Sequence, residues 1–163
     1  MSRLDEVTTK VDAFFARVLA RHGEDMQCGT GCSDCCHARL TVTGVEARAI
    51  GRELATWDTE RRSALAENAA AAPADRCAAL DPGGRCLIYQ VRPVVCRSHG
   101  APIRLREGSL PVVRSCFKNF THVTPDPDCV IDQETLSALV LAVDRTEGGD
   151  GARVDLAGLL GFE

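Results

Sequence analysis

The residues best suited to chemistry in this sequence are its cysteines, of which there are nine among 163 residues. Four lie within the short run from 28 to 36, and three more follow between 77 and 96: Cys28, Cys32, Cys35, Cys36, Cys77, Cys86 and Cys96. Thiolate sulfur is the preferred ligand of Zn²⁺, Cu(I) and Fe–S clusters, and C-x₂₋₄-C spacing lets one turn of backbone offer two sulfurs to one ion. The pattern predicts a soft-metal site assembled from several segments.

A disulfide framework is the other common use of so many cysteines. The N-terminal residues Met1 to Glu6 show no basic stretch followed by an apolar run, so we expect no secretory signal. We therefore expect a cytoplasmic location, where reducing conditions favour metal binding over bridges. Cys35 and Cys36 are also adjacent, and bridging within so tight a run would be strained.

Length and composition exclude several other classes. A net charge of −4 and a pI near 5.6 give no sign of a nucleic-acid partner. No apolar run approaches the roughly 20 residues of a membrane-spanning helix, so no membrane partner is expected. The length predicts a single domain over residues 1–163, with its cysteine-bearing core at about residues 24–130.

Helices are the main elements that must position these thiols. Apolar residues at helical spacing, with capping residues before them, predict four helices. They cover residues 2–21, 43–57, 58–72 and a segment beginning at Asp132. A short helical turn is expected over residues 92–97, with Pro93 at its start.

Two short hairpins complete the predicted fold. The turn sequence Asp81-Pro82-Gly83-Gly84-Arg85 separates two apolar pieces, so we expect Cys77 and Cys86 on paired strands. A second hairpin is expected from Pro102 to Arg114. The predicted fold class is mostly α, a small single domain with short β-hairpin or irregular inserts around a Cys-ligated metal site.

Local geometry limits what the first cysteine run can do. Gly29 and Gly31 disfavour a helix through its first half, so we expect a loop that enters a helix near Cys32 or Asp34. Adjacent side chains diverge on regular helices and strands. We therefore expect Cys35 and Cys36 to serve different metal positions or different atoms of one polynuclear cluster.

The residues from 28 to 97 also resemble a known family, the YkgJ-type CxxCxxCC cysteine-cluster proteins. The resemblance rests on the run from Cys28 to Cys36 and on three later segments: Cys77-x-x-Leu80, Gly84-Arg85-Cys86-Leu87-Ile88-Tyr89 and Arg92-Pro93-x-x-Cys96-Arg97. It implies a small protein that chelates zinc or iron. Cys116 and Cys129 lie beyond the segment that carries the resemblance.

Three enzymatic or carrier interpretations compete with a metal-binding module. The spacing Cys28-x₃-Cys32-x₂-Cys35 is that of radical S-adenosylmethionine enzymes, but those enzymes resemble partial β/α barrels, which the helices here do not match. Cys96 with His99 could form a nucleophile pair, although nothing in the sequence fixes their geometry. A copper or iron carrier would also suit nine thiols.

The sequence thus predicts eight metal ligands, all of them thiolates. They are Cys28, Cys32, Cys35, Cys36, Cys77, Cys86, Cys96 and Cys116. Eight thiolates suffice for two Cys₄ zinc sites or for one Fe–S cluster with spare thiols. We expect one or two zinc ions, with iron or a [4Fe–4S] cluster as the alternative, and no catalytic constellation is identifiable. The four histidines are expected to be surface or hydrogen-bonded residues, not ligands.

Overall fold

Helices dominate the structure, with about 51% of the chain helical and 12% in strands, so the prediction of a mostly α fold is confirmed. The structure, a computed structural model, describes residues 1–161. In chain order its elements are α1 (Arg3–His22), β1 (Thr41–Thr43), α2 (Gly44–Ala55), α3 (Thr59–Ala71), α4 (Val94–Ser98), β2 (Ile103–Glu107), β3 (Leu110–Arg114), β4 (Ile131–Asp132), α5 (Gln133–Thr146), β5 (Arg153–Asp155) and α6 (Leu156–Gly161).

The chain folds into two compact units, each formed from two stretches of sequence. The first unit comprises residues 1–29 and 94–143. The second comprises residues 30–93 and the stretch from Asp144 to the end of the described chain. The single domain over residues 1–163 stays a prediction, and its last two residues lie outside the described part.

The first unit is built on α1, which begins with a capping box. The Ser2 hydroxyl accepts from the Asp5 amide at 3.1 Å, and the Asp5 carboxylate accepts from the Ser2 amide at 2.7 Å. The buried face of α1 repeats at helical spacing: Leu4, Val7, Val11, Phe14 and Val18. This helix packs on α4, and the same unit holds a three-stranded sheet in the order β3-β2-β4.

The second unit is built on α2 and α3. Thr43 and Glu46 form another capping box, and the amide of Val45 donates to the fully buried Asp144 carboxylate at 2.6 Å. α3 packs on α6, while β1 and β5 pair antiparallel. The largest buried aliphatic side chains of this unit are Ile50, Leu54, Leu65, Ile88, Leu156 and Leu160.

Most predicted elements are present, but the hairpin expected at residues 77–89 lacks its strands. A single bridge joins Leu80 to Cys86 across the predicted turn. The Leu80 amide donates to the Cys77 carbonyl at 3.1 Å, which closes a turn where the first strand was expected. The side-chain amide of Asn68 in α3 donates to the carbonyls of Ala78 and Leu80 at 2.8 and 3.2 Å. These carbonyls are bonded to a helix side chain, and the segment forms turns instead of a ladder.

The helix expected after the first cysteine run is also shorter than predicted. It is a single 3₁₀ turn, Asp34–Cys36. Within residues 1–161, no helix has both the length and the apolar character needed to cross a bilayer.

Candidate metal centre

The 3₁₀ turn Asp34–Cys36 sets the direction of the adjacent cysteines in the second unit. Gly31 precedes it with a φ of +88°, a conformation in which a Cβ would be strained. The turn closes with a hydrogen bond from the Cys36 amide to the Ser33 carbonyl at 2.8 Å. The first cysteine run therefore ends in a turn of three residues, and β1 begins five residues later at Thr41.

A backbone hydrogen bond joins the first cysteine run to the second. The amide of Cys77 donates to the carbonyl of Cys36 at 2.7 Å, and Cys77 is buried. Beyond it the Asp81 carboxylate accepts from the Arg85 amide at 2.8 Å, which folds the chain back so that Cys86 lies opposite Leu80. Cys36, Cys77 and Cys86 are thereby held in one part of the second unit.

Electrostatics join four thiols into one group. The pKa of Cys36 is raised well above its ordinary value, first by a hydrogen bond with the Cys35 thiol and then by burial and the charges of Cys35, Cys77 and Cys86. Burial also raises the pKa of Cys86, with Cys77 and Cys35 adding to the effect, while the Ile88 amide and the Arg92 guanidinium act in the opposite direction. We call Cys35, Cys36, Cys77 and Cys86 the thiol group.

The thiol group has a chemistry that a cation would complete. Thiolates gathered in a partly buried place repel one another, so without a cation the protons of Cys36 and Cys86 are held more tightly. A bound metal ion reverses this effect, because its charge favours deprotonated sulfur. The donor set of four sulfurs fits zinc or an Fe–S cluster.

Cys35 and Cys36 are the last two residues of the 3₁₀ turn. Successive side chains of a 3₁₀ turn point roughly 120° apart around its axis, so the turn does not by itself direct both sulfurs to one place. The two thiols are close enough for Cys35 to raise the pKa of Cys36. That they serve different metal positions, or different atoms of one polynuclear cluster, stays a prediction.

The other predicted ligands are distributed over both units. Cys32 belongs to the second unit, where its thiol lies 3.9 Å from an Asp34 carboxylate oxygen. The remaining three belong to the first unit: Cys28, Cys96 within α4, and Cys116 after β3.

Asn119 positions Cys28 and was not anticipated from the sequence. It is buried, and its side-chain amide donates to the Cys28 sulfur at 3.2 Å and to the Gly100 carbonyl at 2.8 Å. Its side-chain oxygen accepts from the Gln27 amide at 2.8 Å. Gly100 has a φ of +95°, and a Cβ there would lie 2.4 Å from the Cys28 sulfur. Nothing in the local sequence marks this network, because its members are separated by up to 92 residues.

A second group of candidate ligands lies in the first unit and contains none of the eight predicted thiols. His22, Asp126 and Cys129 each direct one ligand atom to a common place, with these atoms within 4.8 Å of one another. Cys129 is fully buried. No local sequence pattern marks this group, because His22 lies more than 100 residues from the other two.

Comparison with known proteins agrees with a metal site. The family model CxxCxxCC, described as "Putative zinc- or iron-chelating domain", matches residues 27–129. The match extends past the segment that carried the resemblance and includes Cys116 and Cys129. Neither the curated proteins nor the solved structures include a match to this chain.

Proposed function

The chain belongs to the CxxCxxCC family of zinc- or iron-chelating domains, and we propose that it holds zinc on the thiol group of its second unit. One observation carries this proposal. Backbone contacts bring thiols from three separate places in the sequence together, because the Cys77 amide donates to the Cys36 carbonyl at 2.7 Å and Cys86 lies opposite Leu80. The raised pKa of Cys36 agrees with this grouping. Neutral thiols gain little from such grouping, whereas a metal ion makes it favourable.

Zinc is proposed first because of the number and type of donors. Fully thiolate, four-coordinate sites assembled from short Cys-containing turns are typical of structural zinc, which needs no open position. The Arg92 guanidinium acts on Cys86, so it would offset part of the negative charge of a tetrathiolate site. Cys28, Cys32, Cys96 and Cys116 remain proposed metal ligands, with one or two zinc ions per chain. We further propose that the protein acts in the reducing cytoplasm.

Iron is the second candidate, because the family description includes it and four cysteines also hold an Fe–S cluster. An iron site would favour a redox or transfer role over a purely structural one. The adjacent, hydrogen-bonded Cys35 and Cys36 suit neighbouring atoms of a cluster as well as one zinc ion.

Purification without oxygen, followed by metal analysis and a visible spectrum, separates the two candidates. A zinc protein is colourless and carries at least one equivalent of zinc. A brown protein with stoichiometric iron and sulfide would overturn zinc and establish the cluster. Protein that remains metal-free after incubation with either metal would refute both.

A further inference from the structure

We propose a further metal site in the first unit, in which His22 Nε2, an Asp126 carboxylate oxygen and Cys129 Sγ bind a zinc-like divalent cation. The three ligand atoms lie within 4.8 Å of one another, and His22 Nε2 is 3.4 Å from Asp126 Oδ2. Nitrogen, oxygen and sulfur together form a donor set that zinc accepts in tetrahedral geometry. Three protein ligands leave the fourth position for water or a small ligand.

A short turn presents two of the ligands on one side. Asp126 directly precedes the 3₁₀ turn Pro127–Cys129, and the Cys129 amide donates to the Asp126 carbonyl at 2.8 Å. With the turn closed in this way, an Asp126 carboxylate oxygen and the Cys129 sulfur lie within 4.8 Å of each other. The turn is held to α1 by Arg17, whose guanidinium donates to the Asp128 carbonyl at 3.1 Å.

The third ligand stands at the end of α1 with its ring already oriented. His22 Nδ1 lies 3.3 Å from Asp25 Oδ2, and the ring packs edge-on against Phe120 at 5.2 Å between centroids. A carboxylate partner on one ring nitrogen is the usual arrangement for a histidine that binds zinc through the other, because it fixes the tautomer and the ring direction. The Asp126 amide donates to Nε2 at 3.3 Å, which requires the same tautomer. The Nε2 lone pair that accepts this hydrogen bond would then bind the metal.

The charges around the group are suited to a divalent cation. Asp126, Asp25 and a Cys129 thiolate would supply three negative charges. Arg21 provides the nearest opposing charge, with its guanidinium 2.7 Å from Asp128 and 3.6 Å from Asp126. Because Arg21 is closer to Asp128, which is not a ligand, the Asp126 carboxylate keeps oxygen lone pairs for a metal.

The burial of Cys129 also fits a simple packing role. It contacts the core formed with Phe14, Val18, Met26 and Ala101. A packing role predicts that Cys129→Ser changes stability but not zinc content. The proposed site predicts a loss of zinc, and this difference decides between them.

This site is separate from the function proposed above. His22 lies before the segment matched by the family model, and none of its ligands belongs to the thiol group. Its failure would leave the thiol group unaffected, and the reverse also holds.

Zinc content of the full chain after equilibrium dialysis tests the proposal. His22→Gln and Cys129→Ser should each bind about one zinc fewer than wild type, while His122→Gln, the same change at an exposed histidine, should bind the full amount. Combining His22→Gln with Cys36→Ser should remove zinc from both places. Unchanged zinc content in His22→Gln and Cys129→Ser would overturn the proposed site.

Two further measurements guard against variants that fail to fold. Asp25→Asn leaves all three ligands in place and should weaken zinc binding at this site roughly 10- to 100-fold, the usual cost of losing such a partner. In wild-type protein with ¹⁵N-labelled histidines, zinc should shift the Nε2 resonance of His22. An unmoved His22 resonance at saturating zinc, or an Asp25→Asn protein with unchanged affinity, would overturn the proposal.

Discussion

The candidate metal ligands of the two units differ in the contacts that hold them. In the second unit the thiol group gathers four like donors, and their mutual effect raises the pKa of Cys36. In the first unit, His22 and Asp126 already have hydrogen-bonding partners, as does the Asn119 network around Cys28. The thiol group would therefore gain from a bound cation, whereas His22, Asp126 and Cys28 have hydrogen-bonding partners within the protein. This difference predicts where metal removal and mutation act most strongly.

The largest expected effect is that of metal removal on the second unit. A ligand at a thousand times its dissociation constant stabilises the folded state by about 4 kcal/mol. At about 2–4 °C per kcal/mol for a chain of this size, chelation should lower the melting temperature by roughly 8–16 °C. Hydrogen exchange should show residues 30–40 and 76–92 loosening before α1. Equal loosening of α1 would contradict the comparison, and unchanged melting after complete metal loss would show that metal and folding are not coupled.

Replacing a single cysteine of the thiol group should produce the second-largest effect, a loss of metal affinity. Cys35→Ser and Cys36→Ser should each weaken metal binding by more than about 100-fold, since losing a ligand costs more than losing one of its hydrogen-bonding partners. Ser33→Ala is the matched control, because it changes a neighbouring side chain but keeps the carbonyl that closes the turn. Metal titration of the three variants measures this. A variant with the full metal load and native stability would show that its cysteine only packs.

Removing the Asn119 side chain should make the fold less stable without changing how much metal the thiol group binds. Asn119→Ala leaves the Gln27 amide and the Gly100 carbonyl without their partners. Gly100 is buried whereas Gln27 is exposed, so one buried group loses its partner and we expect a loss of roughly 1–3 kcal/mol in the free energy of unfolding. Lys118→Ala, at the exposed neighbouring residue, should change it little. Denaturant unfolding measures the free energy of unfolding of both variants. Equal losses in the two variants would contradict a first unit that is preorganised around Cys28.

The smallest expected effect is a pH dependence at the start of α5. Hydrogen bonds from Thr135 hold the pKa of Asp132 below its ordinary value near 3.8. Because the folded-state pKa is the lower one, the carboxylate stabilises the fold above the ordinary value, and this contribution is lost as the pH falls through the folded-state pKa. Asp132→Ala should therefore melt below wild type at pH 7, and the gap should close in acid. The exposed Asp75→Ala serves as control; a gap that persists at low pH would refute the assignment.

The sequence predicts what is decided locally. Ser2 with Asp5, and Thr43 with Glu46, are capping pairs three residues apart, and α1 and α2 begin where these pairs predict. The hairpin of residues 103–114 follows equally from its turn and flanking strands. Such features need only neighbouring residues, so pattern and propensity suffice to find them.

Long-range contacts account for what the sequence did not predict. The segment expected to form strands at residues 77–89 forms turns, and the carbonyls of Ala78 and Leu80 accept from Asn68 of α3, a contact that no neighbouring residue predicts. The pairing of His22 with Asp126 joins residues with no shared pattern. The helix expected after the first cysteine run is reduced to the single 3₁₀ turn Asp34–Cys36, so its length was also not predictable from neighbouring residues.

The hydrogen bond between the Cys77 amide and the Cys36 carbonyl has a consequence for the speed of metal capture. It closes a loop of about 40 residues, for which the entropy cost grows as (3/2)RT ln n and reaches roughly 3 kcal/mol. The packed helices α2 and α3 lie within this loop, so their core offsets that cost before any ion arrives. An incoming ion would meet both sulfur-bearing segments at a fixed separation. Its capture rate should then be set by loss of thiol protons and not by diffusion of the chain ends.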